Sequence, residues 1–423
     1  MAHANVIRVL AVAAVATVSM FPIARVQADA VIDWNVVALS ATAVPPNSIL
    51  QSRVLAIVHA AIYDAVCVVD KKCRTYAVGV DAPEGASAEA AVVAAAHATL
   101  VRLAPSERPM LDRALNVSLA KIADGKGKAD GVALGEQIAE KAVALRSTDG
   151  ADAKVIFNPQ PGIGLYQLTP PQLAPAILSQ WGAVKPFLLR SRTGLDWKGP
   201  PDVTSAEFAR EFEEVKSIGA RNSASRTADQ TAAAIFWTVQ TAVPWHAAAS
   251  AASANNRLSL AENARLFALL SMASADSQIV AFEEKYKHPH WRPITAVRAA
   301  ADLKNPALKA ESGWEPLLVT PPHPQYPSAH AVFSGAAEAV LRRFFGSDAV
   351  DVSITAPNLF GVTRTYHAFS ELTQEVENAR VWGGIHFRSA DVDGTEIGRK
   401  IGEIALREFP NSPGKTTQLD ERR

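Results

Sequence analysis

Apolar residues in this chain recur at spacings of three and four through most of its length, and alanine is abundant among them. That is the period of an α-helix, not the two-residue alternation of a half-buried strand. Helices are expected near residues 49–68, 86–103, 107–123, 130–146, 205–218, 227–240, 261–286, 328–345, 368–382 and 391–408. Strand signals are sparse, the best being VSIT at 352–355. The predicted fold class is all-α: one large helical domain over residues 29–423, built from helical bundles. No long Gly/Ser linker, charge block or fixed-period repeat divides it. Residues 151–204, with QPG, LTPPQLAP and WKGPPD, read as a long ordered connection laid over a helical surface. The terminal NSPGKTTQLDERR reads as a solvated tail.

With 42 basic and 42 acidic residues in 423 the formal net charge is zero, which gives no electrostatic ground for a nucleic-acid partner. The first residues place Arg8 before an apolar run from Val9 to Phe21, followed by Val26-Gln27-Ala28. Residues 1–28 are therefore expected to be a cleaved signal peptide, and the mature chain to be exported, periplasmic or secreted. An uncleaved anchor is the alternative, although 13 apolar residues fall short of the about 20 that span a bilayer. No later segment is expected to cross a membrane. Cys67 and Cys73 are the only cysteines; a disulfide across the short loop and two unpaired thiols both remain open.

The chemistry concentrates in three segments. In PPHPQYPSAHAVFSG, residues 321–335, Pro322, Pro324 and Pro327 fix φ and keep the residues before them extended. The chain after Pro327 is helical by propensity, with Ser328 suited to cap it. The Ser328 hydroxyl, the Ala329 N–H and the His330 ring thus belong to a helix N-terminus, whose free N–H groups and dipole suit an oxyanion. In EEKYKHPHWRPITAVR, Lys285 and Arg292 flank a proline turn and can be aimed at one point. His288 and His290 lack the accompanying ligand spacing of a metal site. In ARVWGGIHFRSADVDG, Arg380 closes a helix, Gly383 and Gly384 permit a reversal, and His386 follows. Each segment alone has a bland reading as surface cations or a capped helix. Together they hold three cations, a helix N-terminus with a hydroxyl, and two histidines, the inventory a tetrahedral oxyanion requires.

Lys285-x6-Arg292-Pro293, then Pro327-Ser328-Ala329-His330, then Arg380-x5-His386 resembles the three-part signature of the vanadium-dependent haloperoxidases and the related type-2 phosphatidic acid phosphatase superfamily. The likeness extends to RVLAIVHAAIYDAV at 53–66, WGAVKPFLL at 181–189, RTADQTAAAIFW at 226–237 and HWRP at 290–293, which look like the larger soluble haloperoxidase branch. The resemblance implies a helical-bundle fold with its oxyanion site within about 261–408. It implies that Lys285, Arg292, Ser328, Ala329 and Arg380 hold vanadate, with phosphate able to occupy the same site, and that His386 binds the metal. His330 would serve as acid/base. Hydrogen peroxide, halide and a small organic acceptor would be the partners, and His323, seven residues before His330, points to bromide.

The same inventory suits a secreted acid phosphatase with His386 as nucleophile and His330 protonating the leaving oxygen. A non-catalytic oxyanion binder is the third alternative. Two positions depart from the family pattern. Ala329 stands where glycine is frequent, with the backbone N–H retained. Ala390 stands four residues after His386, where an aspartate commonly orients the ring, and Asp391 is one place later. What orients His386 is therefore open.

Overall fold

The computed structural model describes residues 29–410 apart from 45–46, 304, 306–307 and 357–360. The expected signal segment and the C-terminal tail lie outside the described residues. The first half consists of α1 (Ala30–Ala41), α2 (Ser48–Asp70), α3 (Ala88–Leu103), α4 (Arg108–Leu119) and α5 (Lys126–Arg146). After the long connection come α6 (Ala206–Ile218), α7 (Ala228–Phe236), α8 (Ala242–Asn256), α9 (Leu260–Lys287) and α10 (Pro293–Arg298). The last part carries α11 (Ala329–Phe345), strands β1 (Ala349–Thr355) and β2 (Thr363–Ala368), α12 (Phe369–Trp382) and α13 (Arg388–Glu408). The all-α expectation holds. VSIT lies inside β1, which pairs antiparallel with β2 in a two-stranded hairpin. Helices α1, α8 and α10 and strand β2 were not anticipated.

Helices α2 and α9 pack on one another and organise the rest. Helix α2 also carries α3 and α5, whereas α9 carries α11 and α13. Both are apolar on nearly every face, the pattern of a helix surrounded by protein. By length and composition each could span a membrane, which corrects the expectation that no later segment is long and apolar enough to do so; 83% and 94% of their apolar windows are buried inside the fold.

Each central helix pins a stretch of irregular chain with one buried aspartate. Asp64 of α2 accepts from the backbone N–H groups of Tyr76, Ala77 and Val78. Asp276 of α9 accepts from Phe187, Leu188 and Leu189, in the Pro/Gly/Trp-rich connection. Cys67 and Cys73 form a disulfide, with Cα atoms 5.0 Å apart, across the C-terminal end of α2. Helices α11 and α13 meet at backbone distance: a Cβ on Gly398 would sit 2.2 Å from the Val332 carbonyl oxygen. That close crossing fixes the N-terminus of α11 beside the start of α13.

Candidate active site

The proline-rich segment arrives extended, its Tyr326–Pro327 peptide cis, and delivers Ser328 to the N-cap of α11. Ser328 begins the helix, as expected, with the extended backbone of a cap, but its hydroxyl makes no capping hydrogen bond and has no partner of normal geometry. Its backbone N–H donates instead to Ala390 O at 2.9 Å, tying α11 to the start of α13. The first-turn N–H groups of α11, including that of Ala329, have no intrahelical acceptor. Gln278 of α9 donates to the Ala329 carbonyl at 2.9 Å and holds this turn against the central helix.

Three cations from three elements converge here, all buried. Lys285, in the last turn of α9, donates to the carbonyls of Pro324 (2.8 Å), Gln325 (3.1 Å) and Pro327. An ammonium has three N–H donors, so all are committed to shaping the proline segment. Burial pulls the Lys285 pKa well down, as do the guanidiniums of Arg292 and Arg380; Asp391 opposes them. Three carbonyl acceptors favour the charged form. Arg292, at the N-cap of α10, donates from Nε to His323 O (2.8 Å) and from Nη1 to Ile385 O (2.8 Å). The same Nη1 lies 3.1 Å from His386 Nε2, and Nη2 lies 3.0 Å from His323 Nδ1. Arg380, in the last turn of α12, donates from Nη1 to Trp237 O (2.9 Å), while its Nε has no partner. Burial lowers Arg292 to about 9 and Arg380 to about 10.

The histidines divide by environment. Burial lowers the pKa of His386, His323 and His330 well below the usual value, and nearby cations add to the effect. All three imidazoles are thus neutral at neutral pH. His330 is half-buried, whereas His386 and His323 are buried. His323 Nδ1 lies between Arg292 Nη2, which only donates, and the Pro324 carbonyl at 3.1 Å, which only accepts, so these two contacts do not fix its tautomer. Its ring centroid lies 5.1 Å from that of Phe282. Of the other pair, His288 is exposed and His290 is buried, so the two diverge.

Gly384, at φ 74°, takes the left-handed conformation that reverses the chain between Arg380 and His386. Gly383 does not; it lies in the right-handed region, where a Cβ would meet Leu318.

A profile of the VCPO second helical-bundle domain matches residues 265–412, the span that carries all three segments. The vanadium chloroperoxidase of Curvularia inaequalis is 37% identical over 98 residues, 22% of this chain and 16% of that protein's length. A bacterial vanadium-dependent iodoperoxidase superposes with a TM-score of 0.77 at 26% identity, over 91% of this chain and 97% of its own. The chain is thus similar to vanadium haloperoxidases in sequence over its C-terminal part and in fold over most of its length. A bacterial vanadium-dependent chloroperoxidase shares the fold at a TM-score of 0.68 and 18% identity, covering 87% of this chain and 93% of its own.

Compared with the haloperoxidase signature, the orientation of His386 has an unexpected source. Asp391 does not reach it. That carboxyl lies near Ser328 and Arg388, with no hydrogen bond of normal geometry to either oxygen. Burial raises its pKa well above the carboxylate range, against the Ser328 hydroxyl, Arg388 and Arg380. Instead, His386 Nδ1 lies 3.1 Å from Gln325 Oε1, and Gln325 Nε2 lies 3.0 Å from His290 Nδ1. Gln325 was not singled out in the sequence. Its signal was a polar side chain placed among prolines, two residues after His323.

Proposed function

We propose that this protein is a vanadate-dependent haloperoxidase that oxidises halide with hydrogen peroxide, H2O2 + X⁻ + H⁺ → HOX + H2O. The observation that carries the reading is the convergence, at the N-terminus of α11, of three buried cations with polar atoms that nothing in the protein satisfies. Ser328 Oγ and Arg380 Nε have no partner, and unpaired buried groups of this kind are costly unless a ligand fills them. A tetrahedral oxyanion of vanadate size fits that donor set. Arg380, Arg292, Ser328 and the Ala329 N–H would hold it, His386 Nε2 would face the metal, and Lys285 would contribute charge while shaping the segment.

Bound vanadate would supply a Lewis-acid centre that activates peroxide toward halide. The protein's part is electrostatic and protonic. Its three buried cations would stabilise negative charge in surroundings of low dielectric, where such charges act strongly. His330, neutral because burial and the cations hold its pKa down, takes a proton from hydrogen peroxide and returns one to departing water. We assign bromide as the favoured halide on His323 and a small organic molecule as the acceptor of the halogen. Export to an oxidising compartment is part of the proposal; the leader-like residues 1–28 and the Cys67–Cys73 disulfide support it.

The charge and donor types of the site suit phosphate equally, which keeps phosphomonoester hydrolysis as the second reading. The assay is bromination of a phenolic dye with peroxide and bromide, with and without orthovanadate. Bromination that depends on vanadate, and that His330→Ala abolishes while orthovanadate still binds, is the expected result. Hydrolysis of a phosphomonoester that vanadate inhibits, without dye bromination, would replace it with the phosphatase. Anion binding with neither reaction would leave an oxyanion-binding protein.

A further inference from the structure

We infer that Gln325, backed by His290, is the positioning residue for His386: a neutral carboxamide fixes the ring's tautomer and aims its Nε2 lone pair at the oxyanion site. The inference rests on the oxyanion reading above and names what replaces the carboxylate absent at Ala390.

Groups that have no choice of role assign every proton in the chain. Gln325 Oε1 faces His386 Nδ1 at 3.1 Å and the Phe387 backbone N–H at 3.5 Å. A backbone N–H can only donate, so this end of the amide is the oxygen, and His386 Nδ1 must carry a proton. On the ring's other side, Arg292 Nη1 lies 3.1 Å from His386 Nε2. A guanidinium also only donates, so Nε2 presents its lone pair. The two constraints are independent and give the same tautomer. The amide nitrogen then donates to His290 Nδ1, which leaves the His290 proton on Nε2, an atom without a partner.

Gln325 is itself held fast. It is fully buried; its N–H donates to His290 O at 3.0 Å and its carbonyl accepts from Lys285 at 3.1 Å. Its backbone is therefore anchored, and its buried side chain is held at its two ends by His386 and His290. Chemically, an amide oxygen accepts a weaker hydrogen bond than a carboxylate. It orients the imidazole without raising its basicity, so His386 stays neutral among three cations.

The test reads the tautomer directly. Long-range proton–nitrogen NMR on 15N-histidine-labelled, anion-free protein reports which His386 nitrogen is protonated. Calorimetry gives Kd for orthovanadate and for phosphate in wild type, Gln325→Leu and Gln325→Glu. Wild type is expected to show Nδ1–H alone. Gln325→Leu should mix the tautomers and weaken both anions by about 10–100-fold, the range for lost outer partners of a ligating histidine. Gln325→Glu should restore the single tautomer, bring both Kd values back toward wild type and raise the pH at which His386 titrates. An Nε2–H tautomer in wild type overturns the assignment. So does a Leu variant with unchanged tautomer and affinities. If the Leu variant does not fold, the wild-type tautomer and the Glu titration still decide. Wild-type protein that shows Nδ1–H but binds neither anion would sink the oxyanion reading and leave the role of Gln325 intact.

Discussion

The molecule contains two pairs of buried histidines, each joined by a carboxamide, and they do different things. In the first pair, Asn35 Oδ1 lies 2.6 Å from His246 Nδ1 and 3.1 Å from His59 Nε2. Both rings sit against Phe267, at centroid distances of 5.7 and 5.4 Å. Their remaining nitrogens, His246 Nε2 and His59 Nδ1, have no partner. Burial is the first cause of their low pKa values; His246 adds to the lowering at His59, and no lysine or arginine contributes at either ring. In the second pair, Gln325 joins His386 to His290, and the other nitrogen of His386, Nε2, faces Arg292. Burial and the amide are common to both pairs. What separates a core histidine from a ligand-ready one is the charge facing its second nitrogen. The aspartates repeat the contrast: Asp276 satisfies three N–H groups, whereas Asp391 makes no hydrogen bond of normal geometry.

The largest effect should come from removing a cation. Arg380→Ala, which breaks one hydrogen bond to the Trp237 backbone carbonyl, is expected to cost about 3–5 kcal/mol of orthovanadate binding, as losing one member of a buried charged set does. Lysine at position 380 should restore little, because a point charge does not match the guanidinium fork. His246→Phe in the first cluster should leave the anion affinity unchanged. Calorimetric titration checks all three. Comparable losses from Arg380→Ala and His246→Phe would erase the distinction between the two regions.

A smaller effect separates the aspartates. Asp276→Ala strands three buried N–H groups and should lower unfolding free energy by about 3 kcal/mol, read as a shift in the urea midpoint. Asp391→Asn removes no hydrogen bond of normal geometry from a carboxyl whose ionisation burial already opposes. Its stability change should be under about 1 kcal/mol. A midpoint shift for Asp391→Asn as large as that for Asp276→Ala would show that Asp391 bears structural load in the native state.

Helix positions were legible because the three- and four-residue period records burial directly. α9 was expected at 261–286 and runs from Leu260 to Lys287. α8 was passed over because Ala242–Asn256 is an alanine and serine run with almost no amphipathic contrast, and its identity is set by packing. The cations and histidines of the site were legible as types at fixed spacings. Their partners were not, because hydrogen-bond partners far apart in sequence leave no periodic trace. Gln325 meets His386 across 61 residues, and Trp237 O meets Arg380 across 143. Lys285 shows the same limit from the other side. Its charge was evident, but the commitment of its three N–H groups to carbonyls of the proline segment follows only from how α9 ends against that segment.

The last effect is a slope. Burial lowers the His246 pKa from 6.5 to about 3 in the folded protein. A depressed histidine pKa means that the unfolded chain binds the extra proton first. Stability from this residue is therefore complete above pH 6.5 and is lost as pH falls from 6.5 toward about 3, by about 1.4 kcal/mol per pH unit. Asp64, raised to about 6, and Glu211, raised to about 7, act in the opposite sense, because the folded state protonates them first. The total slope is thus a difference, and the informative quantity is its change in His246→Phe, which should flatten acid destabilisation by up to that amount. Saturating phosphate should leave this change untouched, because no cation or anion site adjoins His246. If phosphate does alter it, the two amide-bridged pairs are coupled, and the apolar isolation that distinguishes the first from the second is not real.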